Sequence, residues 1–504
     1  MRRTAMTVAV LVLGALLVPT TSAGAAVDDV NTARLRAAVT VNGILGHERA
    51  LQQIANVNGG TRASGTPGFD ASAGYVTRRL QAAGYQVTEQ PFTFPFFREL
   101  APATLAQVTP TPSTYATGTF TYSASGDVTG SLVPADVQIP PGPSANSSTS
   151  GCEPTDFPPA SSSPQVALLQ RGTCTFQVKV ANAAAAGYDA AIIFNEGQPG
   201  RTELFIGTLG APAAIPVVGL SFSDAAALYA AGPVVVRVTT STDSRTATTK
   251  NILADSPGGN PDKVIVVGAH LDSVNAGPGI NDNGSGTATI LETAIQLSQL
   301  GIQPRQKLRF TFWGAEESGL LGSRYYVAQL GDQISTIYAN LNFDMLGSPN
   351  YVRFVYDGDG SETPVMGPPG SAQIEQIFDK YFANQGLATE PTAFDGRSDY
   401  GPFILAGVPA GGLFSGAEGI KTPEQAQVYG GTAGVAYDVN YHQAGDTINN
   451  LNTKALAELG DAAAHTVMTL ARTRSGFFED GSRVAQAAPI TPDMLEYQGN
   501  DAVR

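Results

Sequence analysis

The sequence predicts an α/β protein whose mixed, mostly parallel sheet is flanked by helices and interrupted by a small β-rich domain. From residue 250 onward, short β-branched runs alternate with segments of helical periodicity, which is the pattern of parallel strands joined by helices on both faces of a sheet. A similar helix and strand occur before residue 95. Between these parts the chain is rich in proline, serine and threonine, and this change of composition indicates a separate domain.

The first 26 residues have the composition of a secretory signal peptide. Two arginines follow Met1, residues 8–18 are apolar, and small residues lead to a cleavage position near Ala25 or Ala26. A membrane anchor is the weaker interpretation, because the apolar run is shorter than the ~20 residues that span a bilayer. We therefore expect a secreted, extracellular protein with no membrane segment once residues 1–26 are removed.

Residues 27–104 are predicted to form the first part of the α/β domain. Apolar spacing predicts one or two helices that end at Asn58, and a further helix over 69–83 that Gly84 ends. Residues 85–94 alternate between apolar and polar side chains, as a strand does.

Residues 105–245 are predicted to form the β-rich domain. Its predicted elements are strands at 119–122 and 166–170, a helix at 177–186, and strands at 190–195 and 234–239. Because the protein is exported, its two cysteines, Cys152 and Cys174, favour a disulfide over two free thiols. Such a bond would contribute about 3 kcal/mol to stability. The domain carries no catalytic group of side chains, so we interpret it as a cover or specificity domain.

Residues 246–474 are predicted to form the second part of the α/β domain. The predicted elements are strands at 263–269, 307–313 and 337–343, and helices at 285–300, 319–330, 372–384 and 453–472. Residues 351–370 are predicted to be a loop or a hairpin. Residues 475–504 match no pattern, and we interpret them as a flexible or processed tail.

The charge balance excludes one class of partner. The 504-residue chain has 43 acidic and 29 basic residues and a net charge of −14 at pH 7, with no basic cluster after the amino terminus. Nucleic-acid binding requires a basic footprint, so we expect no nucleic-acid partner.

The predicted strand ends of the second part carry metal-binding side chains. His270 ends one strand, Asp282 lies in a glycine-rich loop and Glu317 closes the next strand. Asp344 ends a third strand, and His442 follows later in the chain. Nitrogen and oxygen donors without a thiolate favour zinc, manganese or cobalt. Five such ligands could hold two ions if one carboxylate were shared.

Two neighbouring acids have a different predicted role. Asp272 stands two residues after His270, and we interpret it as the acceptor of the second imidazole N–H, which fixes the tautomer. Glu316 precedes Glu317, and neighbouring residues of an extended segment point in opposite directions. One glutamate can therefore bind metal while the other faces the water that attacks the substrate.

The chain has only four histidines, which narrows the choice of ligands. His270 and His442 stand in irregular segments beside an acid or a tyrosine, whereas His47 and His465 fall within predicted helices. A lone histidine in a helix is more often structural, so we assign no ligand role to His47 and His465.

Seven short segments of the second part form a specific series. In chain order they are Gly-Ala-His-Leu-Asp-Ser-Val (268–274), Gly-Ile-Asn-Asp-Asn-Gly-Ser-Gly (279–286), Trp-Gly-Ala-Glu-Glu (313–317), Asn-Phe-Asp-Met (342–345), Gly-Arg-Ser-Asp (396–399), Gly-Gly-Leu-Phe (411–414) and Tyr-His (441–442). The series resembles the secreted two-zinc aminopeptidases of peptidase family M28, most closely the Streptomyces-type leucine aminopeptidases. The likeness covers about residues 43–89 and 250–470. It implies the zinc-peptidase fold, one zinc held by His270 and Asp344, a second held by Glu317 and His442, and Asp282 as the bridge.

The resemblance also implies roles in catalysis and substrate binding. Glu316 corresponds to the general base, and Tyr441 to a hydrogen-bond donor for the oxyanion. The backbone carbonyl of Arg397, together with two of the acids, corresponds to the site for the free ammonium of the substrate. Met345 and Phe414 correspond to residues that line the pocket for the first side chain, although for Met345 core packing is an equal alternative.

Two local features follow from the same resemblance. It implies a cis peptide between Asp282 and Asn283. In the relatives, two cysteines flank the Tyr-His segment, whereas Asn440 and Gly445 occupy those places here. We therefore expect the loop that holds His442 to be more mobile.

The β-rich domain has a resemblance of its own. Residues 171–179 and 186–195 resemble a protease-associated (PA) domain, a small module found beside many exported peptidases. Residues 69–94 before it and 251–255 after it resemble parts of the peptidase domain. The module is therefore predicted to be inserted between two neighbouring strands of one sheet.

These observations predict a secreted dizinc aminopeptidase that removes large hydrophobic residues such as Leu from peptide and protein substrates with a free amino terminus. We expect two Zn²⁺ per chain and a monomer. One alternative is a carboxypeptidase or other metallohydrolase of the same fold, which would need a basic cluster for the substrate carboxylate. Another alternative is a catalytically inactive binding protein, against which the complete ligand set and Glu316 argue.

Overall fold

Thirteen strands join into one sheet in the computed structural model of the protein, which describes residues 30–474. The predicted signal peptide at 1–26 and the predicted tail at 475–504 lie outside the described residues. The described part of the chain begins with three helices and a long strand: α1 (Ala33–Ala38), α2 (Val41–Val57), α3 (Pro67–Ala82) and β1 (Gln86–Thr109). Thr40 caps α2 by accepting a hydrogen bond from the Gly43 N–H, and proline in the first turn starts α3.

The inserted domain has five short strands and two helices before the chain returns along a second long strand. These elements are β2 (Ser113–Tyr115), β3 (Gly126–Pro134), β4 (Gln165–Gln170), α4 (Phe176–Ala185), β5 (Ala190–Phe194), β6 (Val217–Leu220), α5 (Phe222–Ala230) and β7 (Val235–Asp255), with a 3₁₀ turn at Pro154–Asp156. Strands β3 to β6 are parallel and carry an apolar cluster on each face. The predicted strand at 119–122 is wrong, because this segment makes only isolated bridges, at Thr119 and Thr121.

The rest of the chain alternates strands and helices. It contains β8 (Asn260–His270), α6 (Gly286–Gln299), β9 (Gln306–Trp313), α7 (Leu321–Leu330), β10 (Ile337–Phe343), β11 (Phe354–Tyr356), α8 (Ser371–Asn384), β12 (Glu390–Thr392), α9 (Gly401–Leu405), β13 (Ala410–Phe414), α10 (Pro423–Tyr429) and α11 (Thr453–Arg472). An irregular turn occupies Ile280–Ser285, and 3₁₀ turns occupy Gly331–Thr336 and Ile448–Asn450.

A two-stranded ribbon connects the inserted domain to the rest of the molecule. β1 pairs with β7 antiparallel from Gln86 opposite Asp255 to Thr109 opposite Val235. The prediction that the first strand ends at 94 is therefore wrong. Pro91, Pro95 and Pro102 look like strand breakers in the sequence, but β1 is an edge strand along most of its length, and prolines are tolerated there because no neighbour needs their N–H.

The part of the sheet outside the inserted domain is mixed, with a parallel centre. Its order is β12-β11-β13-β10-β8-β9-β7, with β1 beside β7. Strands β13, β10, β8 and β9 run parallel, whereas β7 is antiparallel to β9 and β11 is antiparallel to β13. The short edge strand β12 runs parallel to β11. Residues 351–370 are not a hairpin, because β11 lies beside β13 and β12 instead. The predicted fold class is confirmed.

Helices cover both faces of this sheet. On one face, α6 is buried along nearly its whole length, and α11 buries an apolar stripe with Leu456, Leu459 and Val467 in the main core. On the other face, Trp313 packs against Tyr326 and Phe403. Both layers leave the carboxyl ends of the parallel strands uncovered. Among residues 30–474, no helix combines the length and apolar character that crossing a bilayer would require.

Candidate metal centre

Three of the predicted ligands lie at the carboxyl ends of adjacent strands. His270 is the last residue of β8, Asp344 directly follows β10, and Glu317 lies in the turn after β9. Because parallel strands end at the same edge of a sheet, these side chains converge there. Asp282 and His442 reach the same place from loops, the first from the turn before α6.

The five side chains lie within contact distance of one another. The Nε2 atom of His270 is 3.2 Å from Asp282 Oδ1 and 3.2 Å from Asp344 Oδ1. The Nε2 atom of His442 is 3.1 Å from Asp282 Oδ2 and 3.0 Å from Glu317 Oε2. Asp282 therefore turns one carboxylate oxygen toward each histidine, which is the arrangement expected of a bridging ligand.

The donor set fits divalent cations. At this centre, two groups of side chains have donor atoms that all lie within 4.8 Å of one another, namely His270, Glu316 and Asp344, and His270, Asp282 and Glu317. Glu317 Oε1 is buried and has no hydrogen-bond partner among the described residues. A buried carboxylate oxygen without a partner is costly, so this atom calls for a cation.

The electrostatics point the same way. Burial raises the pKa of Glu317 to about 7, and the nearby Asp282 carboxylate adds to the effect. Burial also raises the pKa of Glu316 well above its usual range. Burial alone would lower the pKa of His442, but the Glu317 and Asp282 carboxylates raise it to about 11. Several carboxylates thus lie close together in a buried site, and this arrangement favours the binding of positive charge.

The two adjacent glutamates, Glu316 and Glu317, do not have the predicted backbone conformation. They lie in a turn, not in an extended segment, so the expectation of an extended pair is wrong. Ala315 just before them has φ of 54°, a left-handed conformation that turns the chain away from β9. Both glutamates border the same cavity, and Glu316 Oε2 is 3.9 Å from His270 Nε2.

Asp272 accepts a hydrogen bond from His270, but with its backbone carbonyl oxygen and not with the carboxylate that we predicted. The Nδ1 atom of His270 is 3.1 Å from the backbone carbonyl oxygen of Asp272 and 3.7 Å from its carboxylate Oδ1. The hydrogen-bond distance therefore belongs to the carbonyl. The Asp272 carboxylate instead accepts from the Glu316 N–H at 3.3 Å.

The residues that the resemblance assigns to substrate binding line one cavity together with Tyr441. Its ring stacks on the ring of His442 at 3.9 Å, and its hydroxyl lies 3.4 Å from Nη2 of Arg397. Arg397 also forms an ion pair of 2.7 Å with Glu418. Met345 and Phe414 border the same cavity, and Met345 has φ of 56°.

Several supporting residues were missed in the sequence. Ser398 donates to Asp344 Oδ2 at 2.5 Å, and Asn342 donates in turn to Ser398 at 2.8 Å. Asp446 accepts from the N–H groups of Asn281 at 2.8 Å and Asp282 at 3.0 Å. Ser398 lies within the Gly-Arg-Ser-Asp segment and could have been considered there. For Asp446 the only signal is its position four residues after His442.

The loop around His442 is tied by hydrogen bonds. Asn440 donates to Asn450 Oδ1 at 2.6 Å, and Asn450 donates to Asp438 at 2.9 Å. A Cβ atom added to Gly445 would lie 2.1 Å from Asn440 Oδ1. The side chain of Asn440 therefore occupies the space between the two positions that are cysteines in the resembled enzymes.

The turn that carries Asp282 is fastened to the end of β10. The peptide between Asp282 and Asn283 is cis, as predicted. The Asn283 side chain donates to the Phe343 carbonyl at 2.9 Å and accepts from Met345 N–H at 3.2 Å. Gly286 follows so closely that an added Cβ would lie 2.1 Å from Phe343 O. These contacts bring Asp282 and Asp344 together.

The remaining predictions concern residues away from the centre. His47 bonds to Tyr75 at 2.7 Å and to Glu292 at 3.1 Å, and His465 bonds to Thr32 at 2.8 Å. Both histidines lie within helices, in line with the structural role assigned to them. Cys152 and Cys174 form the predicted disulfide, with an S–S distance of 2.05 Å.

The inserted domain forms part of the cavity wall. The cavity has a volume of about 1130 Å³, and the candidate metal ligands are among the residues that line it. On the side of the inserted domain it is lined by Thr121, Tyr122, Thr208 and Gly210. A substrate that occupies the cavity therefore lies beside the inserted domain.

Comparison with known proteins agrees with this geometry. The profile of peptidase family M28 matches residues 251–467, and that of the PA domain matches residues 128–228. The chain is 47% identical over 424 residues to an aminopeptidase of Pseudomonas aeruginosa, covering 82% of this chain and 78% of that protein. It is 46% identical over 333 residues to leucine aminopeptidase 2 of Trichophyton rubrum, covering 65% and 66%.

Among solved structures, a zinc aminopeptidase from Bacillus subtilis superposes with a TM-score of 0.58 at 26% identity, covering 87% of this chain and 98% of that one. The two family profiles cover the ligand-bearing strands and most of the inserted domain. The chain therefore belongs to peptidase family M28, and it is a metallo-aminopeptidase with an inserted PA domain.

Proposed function

We propose that this aminopeptidase is a secreted two-zinc enzyme that removes large hydrophobic residues, with Leu preferred, from the amino terminus of peptides and proteins. The observation that carries the proposal is the position of Asp282, whose two oxygens face His270 and His442 separately. Two ions sharing one carboxylate explain this arrangement better than one ion would. The relatives named for leucine and for zinc support the choice of substrate and metal.

The chain's own residues fit two zinc ions. His270 and Asp344 would hold one ion, Glu317 and His442 the other, with Asp282 shared between them. Imidazole nitrogen and carboxylate oxygen are ordinary zinc donors. Zinc bound there would supply Lewis-acid chemistry, polarising the scissile carbonyl and making a water molecule more acidic.

Glu316 is proposed as the general base. It lies in the cavity next to the ligands, and burial holds its pKa above the usual range, which suits a group that must take up a proton. Its carboxylate takes a proton from the attacking water and passes it to the leaving amine nitrogen. Tyr441, stacked on His442, is proposed to donate a hydrogen bond to the oxyanion.

Selection for a free amino terminus is assigned to the acids and to one carbonyl. Glu316, Asp344 and the backbone carbonyl of Arg397 are proposed to receive the substrate ammonium. Met345 and Phe414, both on the cavity wall, are proposed to contact the first side chain, and an apolar wall suits an apolar residue. We propose further that the enzyme acts as a monomer after removal of residues 1–26.

The test compares leucyl p-nitroanilide with its acetyl-blocked form, with and without a zinc chelator. We expect hydrolysis of the free substrate only, its loss with the chelator, and its recovery when zinc is added. Hydrolysis of the blocked substrate at a similar rate would contradict the ammonium site. A carboxypeptidase would instead release residues from the carboxyl end of a peptide with a blocked amino terminus, and an inactive binding protein would release none.

A further inference from the structure

A buried arginine lies near the candidate metal centre, and its guanidinium donates to backbone carbonyls and not to the ligand side chains. Arg62 is fully buried in the turn before α3. Its guanidinium donates to three backbone carbonyls: Nη1 to Leu271, Nε to Pro278 at 2.8 Å and Nη2 to Gly279 at 2.5 Å. All three carbonyls belong to one loop.

That loop connects two of the metal ligands. Leu271 directly follows His270, and Gly279 stands three residues before Asp282. One planar group therefore holds the two ends of the loop at a fixed separation. A guanidinium presents its donors in a rigid fork, which a lysine ammonium cannot reproduce.

The backbone around Arg62 holds the middle of the same loop. The Arg62 N–H donates to Ser273 Oγ at 2.9 Å, and Ser273 Oγ donates to the Gly277 carbonyl at 3.0 Å. Thr61 Oγ1 donates to the Val274 carbonyl at 2.8 Å. The loop is thus fastened at its start, middle and end by two consecutive residues, Thr61 and Arg62.

The loop has no room to take another path. Gly279 has φ of 60°, and an added Cβ would lie 2.3 Å from Asp282 O and 2.4 Å from Ser273 Cβ. Gly277 is equally close to the loop of His442, because an added Cβ would lie 2.2 Å from Gln443 O. A shift of the loop would therefore be transmitted to Asp282 and to the segment of His442.

A buried acid, Glu48, lies beside the Asp282 turn and interacts electrostatically with Arg62. Glu48 on α2 is fully buried, and neither of its carboxylate oxygens has a hydrogen-bond partner among the described residues. A Cβ added to Gly284 would lie 2.7 Å from Glu48 Oε2, so the carboxylate abuts this turn.

We propose that Arg62 is a positioning residue of the metal centre, which sets the distance between His270 and Asp282 by holding both ends of the 271–279 loop. The inference rests on the proposed role of these two residues as metal ligands. A purely structural role for Arg62 is the competing explanation. If Arg62 positions the ligands, its substitution should lower the metal affinity. If its role is purely structural, the substitution should lower only the stability of the fold.

The experiment is the substitution Arg62→Lys, with Arg353→Lys as the matched control. Arg353 is also buried, and it donates to the Ala388 carbonyl at 2.7 Å and to Glu458 at 2.6 Å, with no contact to a ligand loop. Zinc dissociation constants are measured by competition with a chromogenic chelator, and melting temperatures are measured on the metal-free proteins. The absorption spectrum of the cobalt-substituted proteins reports the ligand geometry.

We expect both variants to melt cooperatively at reduced temperatures. Arg62→Lys should weaken zinc binding about 10- to 100-fold, the range found when groups that orient metal ligands are removed, and should change the cobalt spectrum. Arg353→Lys should leave both unchanged. The proposal is overturned if Arg62→Lys binds zinc within about twofold of the native protein with the same cobalt spectrum.

A second variant covers the case in which Arg62→Lys does not fold. Ser273→Ala keeps the guanidinium but removes the contacts to Arg62 N–H and Gly277 O, and it should weaken zinc binding several-fold. Unchanged affinity in a folded Ser273→Ala protein would overturn the proposal. If the native protein itself bound no zinc, the proposed two-zinc function would be wrong. If the native protein bound zinc and the variants bound it equally well, only the proposed role of Arg62 would be wrong.

Discussion

The ligands on strand ends and the ligands on loops reach the same centre by different means. His270 and Asp344 are placed by the sheet, since β8 and β10 are parallel neighbours whose register sets where each strand ends. Asp282 and His442 have no such frame. Their loops are held by side chains such as Asp446, which accepts from the Asp282 N–H, and Asn450, which donates to Asp438.

This difference indicates which ligands should keep their positions when a supporting side chain is removed. A sheet register is maintained by many backbone hydrogen bonds, so losing one supporting side chain changes it little. A loop is maintained by a few side chains, so losing one should displace the ligand. The predictions below test this contrast, beginning with the largest expected effect.

Removing Asp282, the shared ligand on a loop, should release more metal than removing Asp344, a ligand at a strand end. We expect Asp282→Ala to lose most of both ions and all measurable activity, and Asp344→Ala to lose one ion, because only Asp282 faces both histidines. Elemental analysis of the dialysed proteins measures the metal content. The exposed Asp332 supplies the control Asp332→Ala. Full occupancy in Asp282→Ala would refute the bridging role.

Glu316 should matter for turnover and not for metal content. Glu316→Ala is expected to retain both ions and to lower kcat by about 10²- to 10⁴-fold, the usual contribution of a general base. Paired zinc analysis and initial-rate measurements on one preparation check this. Loss of an ion from Glu316→Ala would make it a ligand instead, which its place in one of the two donor groups allows.

Removing the hydrogen bonds that hold the loop ligand Asp282 should lower zinc affinity more than removing the one that holds the strand-end ligand Asp344. Asp446→Ala removes the acceptor of two N–H groups at the Asp282 turn, and we expect a 10- to 100-fold loss of zinc affinity. Ser398→Ala removes one hydrogen bond to Asp344 and should lower the affinity less. Equal losses in chelator competition would remove the contrast between strand and loop.

The inserted domain should have the smallest effect on small substrates. Arg98 lies opposite Asp243 in the ribbon, so a Gly/Ser linker in place of residues 98–243 keeps Phe96 and Ala247 packed against Ala315 beside Glu316. Hydrolysis of leucyl p-nitroanilide should stay within about tenfold, or 1.4 kcal/mol in barrier. Rates on long peptides should change more, because the domain lines the cavity.

Two observations on this trimmed protein make the result decisive. Cooperative melting and full zinc content must show that it folds with an intact centre. Tyr122→Ala in the full chain tests the wall without deletion, and it should alter rates on long peptides only. A loss of several orders of magnitude on the small substrate by a folded, zinc-loaded trimmed protein would place the inserted domain within the active site.

Much of the fold follows from the sequence because hydrophobic periodicity is a local signal. The helix at 453–472 and the strand at 337–343 have the predicted bounds. The length of β1 could not be predicted, because whether Pro91 and Pro95 break a strand depends on the neighbour that strand has. The three-residue strand β11 likewise has too few residues to show a period.

The metal centre, too, could be predicted in part from the sequence. The side-chain types at strand ends indicated a metal site, and the motif series indicated which residues would share it. Arg62 and Asp446 were missed because they act on backbone atoms far away in sequence, and such contacts exist only once the chain has folded. The carbonyl of Asp272 was missed for the same reason, since every residue has a carbonyl and no sequence pattern marks this one.

The most direct test of the two-ion centre is a crystal structure of the zinc-loaded protein with anomalous diffraction measured on both sides of the zinc absorption edge. We predict two zinc peaks about 3.5 to 4 Å apart. One should lie between His270, Asp344 and Asp282, and the other between Glu317, His442 and Asp282. A single peak at this centre, or two peaks that do not share Asp282, would contradict the account.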